Sequence, residues 1–142
     1  MYRHILIPTD GSELAEHGLA HGLALAKSIG AKVSVIFVVE PFSEMTGRFL
    51  ETIARYAELR KEQATSVLDR AANAAKEAGV SCEAIQTENG QPHQAILAAA
   101  EDKGCDLIAM SSHGRSGLSM VLIGSVTNKV LAQAKIPVLV CQ

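Results

Sequence analysis

Short, nearly continuous apolar runs alternate with long stretches of helical periodicity, and that alternation constrains the fold more than any other feature of the chain. Ile5-Leu6-Ile7 centres a first run over Tyr2 to Pro8, and Lys32 to Glu40 forms a second with Val33, Val35, Ile36, Phe37, Val38 and Val39. Asp106 to Met110 and Pro137 to Cys141 form two more. Runs without polar alternation suit strands buried on both faces. Val80 to Gln86 is a poorer apolar run and reads as a strand nearer an edge.

Between the runs lie the helices. Ser12 is an N-cap with Glu13 in the first turn, Leu19, Leu23 and Ala26 recur at helical spacing, and Gly30 ends the segment. A long pattern from Phe49 to Ala78 carries Ile53, Ala64, Val67, Leu68, Ala71 and Ala75 on its apolar face. Its charges, Arg60 among them, read as a solvated face. Pro92 suits a helix start, and that helix runs to Asp102. Ser125 to Ala134 is the last helix. Five strands and four helices in strict alternation predict an α/β fold, an open parallel sheet with helices on both faces. The 142 residues suit one domain, residues 1–142, with no internal repeat or linker.

The chemistry concentrates after the fourth strand. Met110-Ser111-Ser112-His113-Gly114-Arg115-Ser116-Gly117 runs on to Gly124-Ser125 and the last helix. Strand, glycine- and serine-rich loop, then helix start is the order of a phosphate site. Glycine lets backbone approach a ligand, hydroxyls donate to oxyanions, and a helix N-terminus presents unpaired N–H groups. It is not a P-loop, because Ser125 rather than Lys follows Gly124 and the nearest lysine is Lys129.

These residues resemble the nucleotide-binding signature of the universal stress proteins: Gly, two residues, Gly, nine residues, Gly, then Ser or Thr. Gly114, Gly124 and Ser125 fall on the last three positions, and Ser111 stands where that pattern begins with glycine. Pro8-Thr9-Asp10-Gly11-Ser12 is similar to the family's Pro-x-Asp-x-Ser segment, and the closing Pro-Val-Leu-Val run matches as well. The resemblance implies a Rossmann-like sheet in strand order 3-2-1-4-5, with the site between the first and fourth strands. It implies an adenine nucleotide, ATP or AMP, accompanied by Mg²⁺ or Mn²⁺ held through the phosphates. The positions it assigns to the nucleotide are Pro8, Thr9, Asp10, Val38, Met110, Ser111, Ser112, His113, Gly114, Arg115, Gly117, Gly124, Ser125 and Val126. Asp10 is expected at the nucleoside and Val38 at the adenine pocket through its backbone. Gly114, Gly124 and Ser125 are expected to give N–H groups to phosphates, flanked by Ser111 and Ser112. Arg115 would neutralise phosphate charge; His113 would do the same or hold its own backbone.

A regulatory stress-response protein is therefore the leading expectation. The alternatives are a nucleotide-free interaction module, which Ser111 keeps open, and a slow ATP hydrolase. No base–nucleophile pair is evident near the loop, so any hydrolysis is expected to be weak. No basic stripe stands out at a net charge of −2, which argues against nucleic acid. No apolar run reaches membrane-spanning length or a signal-peptide core, and Cys82, Cys105 and Cys141 form no zinc or disulfide pattern, so a cytoplasmic protein is expected. His17 and His21 share a helix face, but Gly18 follows His17 where a zinc motif needs Glu, and they read as surface histidines. In the family's strand order Val138-Leu139-Val140 lies at the sheet edge, where a second copy would cover it as a homodimer. Leu118, Met120, Val121, Leu122 and Ile123 would join that interface or cover the core. Other protein partners are not specified.

Overall fold

The strands form where the uninterrupted apolar runs stand. In β1 (His4–Pro8), Ile5, Leu6 and Ile7 are all fully buried, with Ile5 and Ile7 in one core cluster and Leu6 in the other. Successive side chains of a strand point to opposite faces, so a run without alternation needs a packed layer on each. Each such side chain contributes about 1.5–3 kcal/mol by leaving water. A computed structural model describes residues 1–41, 50–113 and 123–142 of the chain, leaving aside the side chains of residues 50 and 51. Its elements after β1 are α1 (Glu13–Ile29), β2 (Lys32–Val39), α2 (Leu50–Ala78), β3 (Cys82–Glu88), α3 (Pro92–Asp102), β4 (Leu107–Ser111), α4 (Ser125–Gln133) and β5 (Val138–Cys141).

The five strands make one parallel sheet in the order β3-β2-β1-β4-β5. Helices α1 and α2 cover one face through Leu19, Leu23, Ala26, Val67, Leu68 and Ala71. Helices α3 and α4 cover the other through Ile96, Ala100 and Val130. Two short-range signals set the ends of α1. The Ser12 hydroxyl accepts from the Ala15 N–H, and Gly30 closes the helix at φ 72°. Close packing of α1 depends on glycine too: a Cβ at Gly18 would lie 3.1 Å from the backbone nitrogen of Ser111.

The third strand begins two residues later than the sequence predicts. The Val80 N–H donates to Ala75 in the cap of α2, which removes it from the strand, and pairing with β2 carries β3 on to Glu88. Arg60 also departs from expectation. It is half-buried, its guanidinium 5.6 Å from the Phe37 ring centroid and its Nη1 donating to Gln63 at 2.6 Å. No helix among the described residues is long and apolar enough to cross a membrane.

Candidate functional site

The chain leaves β1 toward α1 on one face and leaves β4 toward α4 on the other. Adjacent strands whose connections part in this way open a crevice at their carboxyl ends. The β1–α1 turn forms one side of it. The Thr9 N–H donates to Ile36, prolonging the sheet, and Thr9 Oγ1 accepts from the Gly11 N–H at 3.2 Å. The Asp10 carboxylate accepts from the Ser12 N–H at 3.0 Å, a turn that carries its charge beside the N-terminus of α1. Gly11 is at φ 79°, and a Cβ there would stand 2.8 Å from Val67 Cγ2, so both backbone and space demand glycine.

The other side is a loop pinched at its base. The Ser112 N–H donates to Cys141, continuing the ladder with β5. The Gly124 N–H donates to the Ser112 carbonyl at 2.7 Å, and the Thr127 hydroxyl donates to the Ser111 carbonyl at 2.9 Å. A Cβ at Gly124 would lie 3.2 Å from that Ser112 oxygen and 3.3 Å from His113 Cα, so this glycine allows the two ends of the loop to touch. The Gly124 N–H, expected at a phosphate, is here engaged within the loop base. Among the described residues, the donors left at the helix start are those of Ser125, Val126 and Thr127. The first intrahelical bond comes from Asn128, and Gly124 supplies no side-chain cap.

Ser111 is buried, with its Cβ toward α1, where Gly18 makes room for it. Its hydroxyl donates to the His113 carbonyl at 2.7 Å and so braces the loop. Ser112 Oγ and His113 Nδ1 share a hydrogen bond of 3.1 Å, while the buried His113 Nε2 has no partner among the described residues. Gly114, Arg115 and Gly117 lie outside the described residues, as do Leu118, Met120, Val121 and Leu122.

The floor of the crevice is apolar on the α3/α4 face. Val38, Met110 and Val126 belong to that cluster, and Pro8, two residues beyond Leu6, shares its face. The residue that reading by motif missed is His93, in the first turn of α3 and only 5% exposed. Its signal was the position of a polar ring on the stripe that also holds Ile96 and Ala100. No group of three or more metal-ligating side chains occurs among the described residues.

The model of the universal stress protein family matches residues 1–142. The chain belongs to the universal stress protein family. It is 37% identical to a universal stress protein of Methanocaldococcus jannaschii, over 99% of this chain and 82% of that protein. Its fold is similar to the solved structure of MJ0577, another universal stress protein of that organism, at 32% identity and a TM-score of 0.84, covering 99% of this chain and 95% of the other. It also resembles the fold of a universal stress protein from Archaeoglobus fulgidus solved in complex with dAMP, at 22% identity and a TM-score of 0.72, covering 99% and 98%.

Proposed function

We propose that this universal stress protein binds an adenine nucleotide, AMP or ATP, in the crevice between β1 and β4, and that it acts as a cytoplasmic, homodimeric regulatory protein in which any hydrolysis is slow. The observation that carries the reading is the loop base. The Gly124–Ser112 hydrogen bond and the Thr127–Ser111 hydrogen bond fix the uncapped N-terminus of α4 over the crevice. Free N–H groups at a helix start, aligned with its dipole, favour a phosphate. The apolar Pro8, Val38, Met110 and Val126 offer a flat base a surface to rest on. The dAMP bound by the Archaeoglobus relative supports the same ligand class here. Ser111 is compatible with it, because its Cβ turns toward Gly18. Mg²⁺ or Mn²⁺ would be held chiefly by phosphate oxygens and water.

The test is direct. Protein purified without added ligand is denatured and the released small molecules are identified, and the stripped protein is then titrated with ATP, AMP and GTP. The expected result is a stoichiometric adenine nucleotide, with affinity falling at least about tenfold in Gly124→Val, whose side chain would collide with the loop base. No nucleotide released and no binding up to millimolar concentration would overturn the proposal and favour a nucleotide-free interaction module.

A further inference from the structure

His93 holds hydrogen-bonding capacity that no other described residue takes up. It is the second residue of α3, only 5% exposed, and among the described residues its ring makes no hydrogen bond. Its ring nitrogens are not among the buried atoms that lack a partner, so the little surface the residue keeps includes them and leaves them open to a group from outside the chain. The helix start beside it is open as well. Gln91 at the N-cap makes no side-chain hydrogen bond, and Pro92 follows it.

Helix geometry says where the ring lies. His93 is one turn nearer the carboxyl edge of the sheet than Ile96, and about 60° round the helix from it. Helix α3 runs antiparallel to the strands, over β2 and β1, with α4 beside it on the same face. In a right-handed helix so placed, that rotation carries His93 to the α4 side, toward the β1–β4 crevice. The β3–α3 turn is anchored there by the Asn89 N–H donating to Val39 at the end of β2.

Resting on the nucleotide reading above, we propose that His93 is a further binding residue, hydrogen-bonding the nucleoside monophosphate part of the ligand rather than its terminal phosphates. The phosphate-favouring helix start follows β4, whereas α3 stands over β1 and β2. A ligand lying across the crevice from α4 toward Val38 brings its nucleoside end beneath α3. The imidazole, which can both donate and accept when neutral, meets a hydroxyl, ring nitrogen or amine there.

Titration of wild type, His93→Leu and His93→Gln with ATP and AMP tests this. His93→Leu, which keeps the bulk but not the hydrogen bond, is expected to weaken ATP and AMP by the same factor, about tenfold. His93→Gln is expected to recover part of the loss. Unchanged affinity in His93→Leu, with wild type binding normally, would overturn the proposal and leave the nucleotide reading standing. A loss for ATP alone would also overturn it, by placing the ring at the terminal phosphates. Wild type that binds neither nucleotide sinks the nucleotide reading itself, and this inference with it. Should His93→Leu fail to fold, nitrogen NMR of the histidine rings in wild type decides. The His93 resonances move on saturation with AMP if the contact exists, and their staying fixed refutes it.

Discussion

His4 sits at the amino edge of the sheet, far from the crevice, and is buried between two partners. Nδ1 lies 3.1 Å from the Lys103 carbonyl, which can only accept, so Nδ1 carries the proton; Nε2 then accepts from the Ser34 hydroxyl at 2.7 Å. Burial first, and the charge of Lys32 second, hold the His4 pKa below its ordinary 6.5, while the Lys103 carbonyl, Asp106 and Glu83 pull weakly the other way. Asp106 accepts from the backbone N–H groups of Arg3 and His4 beside it, and Lys103 pairs with Glu83 at 2.7 Å. A histidine with a folded pKa below its unfolded value takes up a proton on unfolding. Stability is therefore complete above about 6.5 and is lost as pH falls from there through the folded value. Urea midpoints measured from about pH 8 to about pH 5 are expected to fall in wild type. In His4→Leu they should be lower throughout but flatter with pH, and equal slopes for the two proteins would refute the assignment.

At the scale of elements, the join between β4 and α4 depends on Thr127. Its hydroxyl is buried and donates to the Ser111 carbonyl across 16 residues of sequence. Thr127→Val keeps the shape and removes the donor, leaving a buried carbonyl unpaired. The expected cost is about 1–2 kcal/mol in urea unfolding, and a change within error would show that water substitutes there. How much of this could be read from sequence follows from where each signal resides. The bounds of α1 and α3 are as the sequence predicts, because Ser12, Gly30 and Pro92 act within a turn of their own positions. The start and end of β3 are not, because a cap in α2 and pairing with Val39 decide them from elsewhere in the chain. The same division runs through the crevice. Thr9, Asp10 and the Gly124–Ser125 step announce themselves by motif. The inward turn of Ser111 and the engagement of the Gly124 N–H with Ser112 are products of helix-on-sheet packing that no spacing encodes.

For the whole molecule, the two edges of the sheet differ in kind. β3 is the outer strand on one side and shows Glu83, Gln86 and Glu88, with Lys103 reaching over to Glu83. Charge of this sort discourages another strand from docking. β5, the outer strand on the other side, is Val138-Leu139-Val140-Cys141, with Leu139 at 41% exposure. Leu131 of α4 and Ile123 just before it are exposed to a similar degree, so the strand and its neighbouring helix both offer apolar surface. An apolar outer strand with unpaired backbone groups is a template for association, and the same strand from a second copy would cover it with two-fold symmetry. The β5 edge, not β3, is therefore the surface through which we propose that the homodimer forms. Light scattering at micromolar concentration is expected to give twice the chain mass for wild type. Leu139→Asp, exposed in the single chain and buried in the pair, should give one chain mass while keeping the unfolding midpoint of a folded domain. A monomeric wild type would refute the dimer, and a dimer that persists in Leu139→Asp would move it to another face.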